Sequence, residues 1–398
     1  MADHATSSSK AGSSGTSSLI YDPKVRGIVY QIVTLALVVL FIAFLVHNTL
    51  LNLQKNHIAS GFGFLDGRAG FDIGQHLIAY SSDSTYKYAL VVGLLNTLQV
   101  AIAGIFTASI IGFIVGMGRL SKNWLIAKIS QVYVEVFRNI PPLLVIFFWY
   151  KGVISVLPQP KDSVKLPFDI YINNRGITFP RAIFGDGSEY IALAFVVGIV
   201  LTVFLHSWAK RRQMASGKQF PVLSSSIVMI LGLPLLTFFA LGQPLTFELP
   251  LVGRFSMQGG SVIGPEFTSL YLALSFYTAA FIAEIVRGGI KAVSKGQTEA
   301  ASALGLSGGH TSRLIILPQA MRLIIPPLTS QYLNLTKNSS LAVAVGFSDI
   351  VSVGGTILNQ TSQAIEIVGI WLVVYLTISI ATAMFMNWFN AKMALVER

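Results

Sequence analysis

The chain has no cysteine and few charged residues for its length. Of its 398 residues, 53% are hydrophobic and 11% are charged, whereas roughly a quarter of an ordinary globular domain is charged. The absence of cysteine excludes disulfide frameworks, thiolate metal sites, iron–sulfur clusters and cysteine nucleophiles. A water-exposed surface needs more polar side chains than this chain has, so we expect lipid to surround most of it.

Sequence motifs of enzymes are also missing. The sequence contains no G-x-x-x-x-G-K-[ST] stretch for nucleotide phosphates and no G-x-S-x-G nucleophile elbow. The six histidines are scattered without metal-ligand spacing. We therefore predict a non-enzymatic chain that binds no metal and no cofactor of its own, which leaves transport, a channel or scaffolding.

Eight long hydrophobic runs are what the sequence does contain. A bilayer core of about 30 Å needs about 20 apolar helical residues, and lipid offers no partner to an open strand edge, so each run predicts a transmembrane helix. The fold class is thus all-α, a polytopic membrane protein with about eight transmembrane helices. The runs are Gly27–Val46, Ala89–Gly118, Ile140–Leu157, Tyr190–Ala209, Val222–Phe247, Phe267–Ala283, Leu323–Phe347 and Ile367–Ala391.

Lysine and arginine residues are unequally distributed between the two alternating sets of connecting segments. The set that includes both chain ends holds 18 of these residues and the opposite set holds 8. Because cytoplasmic loops are enriched in basic residues, both termini are predicted to be cytoplasmic. Nucleic acid is not expected as a partner, since no loop carries a basic helix or an aromatic stacking platform.

The predicted cytoplasmic loop 294–318 has the most distinctive pattern. Its small residues would let a short helix approach a partner surface closely, and Gly305 can adopt the left-handed conformation that ends such a helix. The residues with fixed spacing are Glu299, Ala300, Ala301, Gly305, Ile315, Leu317 and Pro318.

This loop resembles the EAA motif, Glu-Ala-Ala-x3-Gly-x9-Ile-x-Leu-Pro, of ABC-importer membrane subunits. The resemblance covers about residues 88–390 and is strongest to permease subunits of bacterial polar and general L-amino-acid importers. The segments that carry it beyond the loop are Gly93–Leu98, Tyr133–Pro141, Ala283–Ile290 and Lys337–Leu341.

The resemblance implies a five-helix type I importer core, made of the second, third, sixth, seventh and eighth runs. An N-terminal helix and an inserted helix pair are added to it. The expected division is 1–26 flexible cytoplasmic tail, 27–47 membrane anchor, 48–87 periplasmic segment, 88–157 first part of the core, 158–264 periplasmic segment with the inserted pair, and 265–398 second part of the core with the loop.

The resemblance also implies partners and a location. A dimer of separate ABC ATPase subunits would bind ATP and Mg and dock on the loop, and a periplasmic amino-acid-binding protein would deliver the substrate. A second, homologous permease would complete the pathway, with a heterodimer favoured. The chain would lie in the bacterial inner (cytoplasmic) membrane.

Polar residues within the runs are candidates for the substrate pathway and its gate. Placing the charged Lys337 side chain in a membrane span costs free energy, so its presence needs an explanation. One interpretation is that Lys337, with Asn338, Ser339 and Ser340, faces the pathway and binds a substrate carboxylate. The other is that Lys337 holds a helix break or pairs with a neighbouring group. Two pairs spaced three residues apart are interpreted as ion pairs near the gate, Glu135 with Arg138 and Glu284 with Arg287. A self-sufficient secondary transporter or channel and a membrane scaffold remain as alternatives.

Overall fold

Helices make up most of the protein in the computed structural model, which describes residues 23–55, 60–253 and 256–393. The first six helices are α1 Pro23–Lys55, α2 Tyr86–Gly118, α3 Trp124–Asn139, α4 Pro142–Phe147, α5 Ser188–Ser216 and α6 Val222–Ala240. The others are α7 Pro265–Lys291, α8 Lys295–Ala303, α9 Gly308–Thr311, α10 Leu317–Asn338, α11 Ile350–Thr361 and α12 Ala364–Met393.

Six of the described helices are long and apolar enough to cross a membrane, namely α1, α2, α5, α6, α7 and α12. Two bent helix pairs bring the number to as many as eight. In the first pair α3 meets α4 and its continuation to Ile154 at 111°, and in the second the helical stretch Gly308–Val345 meets α11 at 52°. The prediction of an all-α polytopic membrane protein with about eight spans is confirmed.

The third predicted span differs from the sequence-based expectation. The run Ile140–Leu157 is a short helix, α4, followed by a π-helical turn from Phe148 to Ile154. The preceding segment, which the sequence placed in a loop, forms the 16-residue helix α3. Ile140 has extended backbone (φ −104°, ψ 133°) because the ring of a following proline disfavours helical conformation. The helix axis therefore turns sharply instead of crossing straight.

The bounds of two other predicted segments also shift. The run expected to extend to Phe247 ends as helix α6 at Ala240, because Gly242 and Gln243 adopt positive φ angles and turn the chain into a strand. Helix α1 occupies Pro23–Lys55 and not 27–47 alone. The remainder of the predicted cytoplasmic tail, residues 1–22, lies outside the described residues.

Eight short strands lie among the described residues between α4 and α7. The strands are β1 Val164–Leu166, β2 Ile170–Asn173, β3 Gly176–Phe179, β4 Arg181–Phe184, β5 Leu245–Glu248, β6 Leu251–Val252, β7 Met257–Gln258 and β8 Ser261–Ile263. They form an antiparallel sheet in the order β1-β2-β3-β8 and two antiparallel strand pairs, β4-β5, which flanks α5 and α6, and β6-β7. The sheet thus connects the chain before α5 to the chain that enters α7.

The core is centred on α7, which packs against α2, α4 and α10. Small residues bring α2 and α7 together. A Cβ atom at Gly116 would lie 2.8 Å from the Ala283 carbonyl oxygen, and one at Gly112 would lie 2.5 Å from Ile282 Cγ2. Such close approach of helix backbones gives the van der Waals contact on which helix association in membranes depends.

Helices α5 and α6 pack against each other as a hairpin. Gly198 lies against the other helix, because a Cβ atom there would be 2.7 Å from the Met229 carbonyl oxygen. Most of the remaining side chains of this hairpin, which we call the inserted hairpin, are exposed apolar groups. Exposed apolar helices of this length fit a lipid surrounding.

Candidate functional site: the elbow and the helix ends beside it

The loop 294–318, which we call the elbow, continues directly from the end of α7. Ser294 caps α8, since its hydroxyl oxygen accepts a hydrogen bond from the Gly296 backbone amide at 3.3 Å. Gln319 on α10 donates a hydrogen bond to the side-chain oxygen of Gln297 at 3.2 Å. The elbow is therefore tied both to the helix before it and to the helix after it.

Helix α8 ends in a Schellman motif. The Leu306 amide donates to the Ala301 carbonyl at 3.0 Å, and the Gly305 amide donates to the Ser302 carbonyl at 3.0 Å. Gly305 has φ +74°, as this motif requires, and nothing lies within 4 Å of the position of a Cβ atom there. The glycine of the motif is thus required by the backbone conformation and not by lack of space.

The two alanines of the motif have different surroundings. Ala301 is 1% exposed and packs inward, whereas Glu299 and Ala300 are exposed. Leu304, at the tip of the elbow, is 79% exposed. A short helix with an exposed apolar tip is suited to insertion into a groove. Leu304 was missed from the sequence because the motif treats its position as variable.

The second half of the motif connects the elbow to the core. Ile315 lies in a π-helical turn, Ser312–Ile316, and Leu317 and Pro318 open α10. Ile315 and Pro318 are half-buried, while Leu317 is exposed. Proline is tolerated in the first turn because its missing amide would have no intrahelical partner there. These residues set the direction in which the elbow enters α10.

A carboxylate clamped by arginines lies where three helices meet near the elbow. Glu284 on α7 forms ion pairs with Arg287 on the same helix and with Arg119, which ends α2. Arg138 on α3 approaches the same carboxylate at 3.9 Å and also lies over the Phe281 ring at 5.7 Å. The cluster joins the ends of α2, α3 and α7.

This geometry contradicts one predicted ion pair. Glu135 and Arg138 share a helix, but Arg138 is directed to Glu284, and Glu135 forms no ion pair within the described part of the chain. Both residues are exposed in α3. The packing of α3 against α7 brings a carboxylate with two other arginines closer to Arg138 than its own helical neighbour. Spacing alone could not reveal that arrangement.

The four candidate pathway residues, Lys337, Asn338, Ser339 and Ser340, point in different directions. Lys337 is exposed in the last turn of α10, and Asn338 is half-buried. Ser339 is fully buried, and its hydroxyl donates to the Thr336 carbonyl at 2.7 Å. Ser340 donates to the Lys337 carbonyl at 2.8 Å. The hydroxyls thus satisfy the end of α10, where regular helix stops.

A buried polar cluster holds the break between α10 and α11. The Asn96 amide group donates to the carbonyls of Gln75 at 2.8 Å and Ser348 at 2.9 Å, and the Thr97 hydroxyl accepts from the Ile350 amide at 3.0 Å. Asp349 caps α11 by accepting from the Ser352 amide at 2.8 Å. Asn96 and Thr97 interrupt a charge-free run, and that polar pair was the available sequence signal for this cluster.

The described residues hold no metal-binding cluster. No group of three or more histidine, aspartate or glutamate side chains within them could hold a metal ion. Many of the described polar side chains cap helices, pair across helix ends or satisfy backbone groups at breaks.

Comparison with known proteins agrees with this description. Residues 208–395 match the family described as binding-protein-dependent transport system inner membrane component. The general L-amino acid transport system permease protein AapQ of Rhizobium johnstonii is 65% identical over 96% of this chain and 95% of its own length.

Two further relatives match along nearly the whole chain. The putative amino-acid ABC transporter permease protein YhdX of Escherichia coli K12 is 49% identical over 95% of this chain and 96% of its own. The glutamate/glutamine/aspartate/asparagine transport system permease protein BztB of Rhodobacter capsulatus is 41% identical over 96% of this chain and 97% of its own. The resemblance found from the elbow motif is confirmed, and the chain belongs to the type I ABC importer permeases for amino acids, non-catalytic components of the membrane.

Proposed function

We propose that this chain is one half of the translocation pathway of an ATP-driven importer of L-amino acids. Its elbow docks into a dimer of separate ATPase subunits, which bind ATP and Mg. A periplasmic amino-acid-binding protein delivers the substrate, and a second, homologous permease completes the pathway as a heterodimer. The chain lies in the bacterial inner membrane with both termini in the cytoplasm.

The observation that carries the docking proposal is the exposed surface of α8. Glu299, Ala300 and Leu304 face away from the chain, while Ala301 anchors the helix from beneath. The Schellman motif at Gly305 and the hydrogen bond from Gln319 to Gln297 hold the exposed face in one orientation. A preorganised helix loses less entropy on docking than a flexible loop would.

The mechanism follows from the connections of the elbow. Force applied to α8 passes through residues 292–294 into α7, and through the first turns of α10 into the break that Asn96 holds. ATP binding that draws two elbows together would change the tilt of these helices. The import cycle is then alternating access, driven by the different affinities of the ATPases for two conformations.

The test replaces an exposed alanine of the elbow with a bulky residue. We expect Ala300→Trp to lower ATP-dependent uptake of radiolabelled L-glutamine at least tenfold in proteoliposomes that contain both permeases, the ATPases and the binding protein. The ring adds volume to the docking face without entering the core, so the amount of membrane-inserted protein is expected to stay unchanged.

The matched control is Ala215→Trp, because Ala215 is also exposed and lies near the end of α5 in another predicted cytoplasmic segment. We expect it to transport normally. Full coupled uptake by Ala300→Trp would refute docking through the elbow. Uptake by the chain without ATPases or ATP would instead favour the secondary transporter or channel.

A further inference from the structure

A cavity of about 470 Å³ lies at the end of α7 that is farthest along that helix from the elbow. The strands β2 and β3 with their connecting turn form one wall, and Pro265 and Glu266 in the first turn of α7 form another. Because α7 has 27 residues, this cavity and the elbow are about 40 Å apart. Its volume is typical of small-molecule sites.

The cavity presents one cation and one anion that do not neutralise each other. Arg175 and Glu266 both line it, and neither forms an ion pair within the described residues. Tyr150 donates a hydrogen bond to one carboxylate oxygen of Glu266 at 3.2 Å. That bond holds the carboxylate in place, and no cation among the described residues pairs with it.

A further acceptor in the same wall lacks a partner. The side-chain oxygen of Asn174 is buried and makes no hydrogen bond with any residue that the structure describes. A buried acceptor without a partner costs about 1–3 kcal/mol, so such a group calls for a ligand or a water. Met257 and Val262 add an apolar part to the lining. The cavity therefore combines a cation, an anion, a free acceptor and apolar surface.

A second cavity of about 360 Å³ shares two of these lining residues, Val262 and Glu266. Its other walls include Gln75 and the segment Gly346–Ser348, the break between α10 and α11 that Asn96 holds. Glu266 thus lies between the outer sheet and the break in the core. A ligand bound at Glu266 would therefore lie next to the second cavity, which borders the interior of the helix bundle.

We propose that the first cavity is an entry subsite for a zwitterionic α-amino acid. Arg175 binds the α-carboxylate, Glu266 and the Asn174 oxygen bind the α-ammonium group, and the apolar wall accepts the side chain. Charge-assisted hydrogen bonds of this kind are about twice as strong as neutral ones. The assignment rests on the proposed import of amino acids and names where the substrate first contacts this chain.

The test measures binding of radiolabelled L-glutamine to the purified complex of both permeases and the ATPases, without the binding protein. We expect Glu266→Gln and Arg175→Gln each to weaken binding at least tenfold. In wild type we expect neither N-acetyl-L-glutamine, which lacks the ammonium group, nor L-glutamine methyl ester, which lacks the carboxylate, to compete with radiolabelled L-glutamine for binding. We expect N-acetyl-L-glutamine to compete for binding to Glu266→Gln, and L-glutamine methyl ester to compete for binding to Arg175→Gln.

The matched controls are Glu248→Gln and Arg181→Gln, which change exposed register partners on the strand pair β4-β5. We expect both to bind L-glutamine as wild type does. Equal weakening by all four variants, unchanged binding by the two cavity variants, or absence of wild-type binding would each overturn the subsite.

Uptake measured with the same preparations separates the two proposals. Wild-type ATP-dependent uptake together with unchanged binding by Glu266→Gln and Arg175→Gln would refute the subsite and leave the importer standing. Binding that depends on these two residues, in a complete system that shows no ATP-dependent uptake, would refute the importer and support the subsite.

Discussion

The core helix α7 and the inserted hairpin α5–α6 are both long and apolar, yet they are buried in very different ways. In the most apolar stretch of α7, 61% of residues are buried within the chain, against 6% in each helix of the hairpin. Helix α7 also buries polar side chains such as Ser269 and Thr278, whereas Ser226 is the one buried polar residue among the described residues of the hairpin. Protein neighbours can satisfy polar groups that lipid cannot, so polarity inside a span indicates burial in protein.

The largest effect on the yield of folded protein is expected where the backbones of two core helices are in contact. Gly116→Leu would place atoms where Ala283 and Val286 already lie, because even a Cβ atom there is 2.8 Å from the Ala283 carbonyl oxygen. Forcing α2 and α7 apart should cost about 3 kcal/mol or more and sharply reduce the yield of folded protein in detergent. Size-exclusion chromatography of the fluorescently tagged chain measures that yield.

The comparison for this change is Gly232→Leu in α6, where the only atom near the position of a Cβ is Val228 Cγ1 at 3.8 Å. We expect that variant to be recovered like wild type. Equal recovery of the two leucine variants would mean that close packing does not distinguish the core from the inserted hairpin.

An intermediate effect is expected at the break between α10 and α11. Asn96→Ala removes two hydrogen bonds and leaves the Gln75 and Ser348 carbonyls without their side-chain donor. The loss should destabilise the protein by about 1–3 kcal/mol and lower its thermal midpoint, which differential scanning fluorimetry in detergent can follow.

Thr202→Val in α5 sharpens this comparison. The Thr202 hydroxyl bonds only to the Gly198 carbonyl of its own helix, at 2.9 Å, so its loss leaves no connection between segments broken. We expect a thermal midpoint close to that of wild type. A larger shift for Thr202→Val than for Asn96→Ala would show that the polar cluster at the break does not stabilise the core.

The smallest effect on stability is expected at the arginine cluster. Glu284→Gln leaves Arg119, Arg138 and Arg287 without their shared carboxylate. Because these side chains are partly solvated, the cost should be about 1 kcal/mol. The ends of α2, α3 and α7 would repel one another, so uptake should fall more than stability does. Proteoliposome uptake and a melting curve on one preparation give both values.

Glu189→Gln, at the exposed start of α5, is the corresponding change in the inserted hairpin. It removes one negative charge without opposing arginines and should affect neither quantity. If Glu284→Gln behaved in the same way, the cluster would be a surface ion pair without a role in joining the helix ends.

The sequence predicted the spans well because apolar length is a local property. It also located the elbow, where Gly305 ends α8 in the left-handed conformation that the motif suggested. The failure involves a residue whose partner comes from a distant segment. Arg138 pairs with Glu284 on another helix and not with Glu135, three residues away on its own helix. That arrangement does not follow from local spacing.

The sharp turn before α4 could be predicted from the sequence only in part. Ile140 is extended, as a residue before proline commonly is, but no break was predicted there from the sequence. The angle of 111° depends on how α3 and α4 each pack against α7, which the sequence does not specify. Outer strands were missed because runs of two to four residues, such as β6 and β7, are too short to show alternation.

Helix α7 places Glu266 in its first turn, and its last turn runs into the elbow. A rod of about 40 Å that pivots near its middle by about 5° moves each end by roughly 2 Å, in opposite directions. That displacement is comparable to the length of a hydrogen bond. A force on the elbow at one end of α7 would thus weaken the contacts to a zwitterion at the other end without changing the conformation of the helix itself.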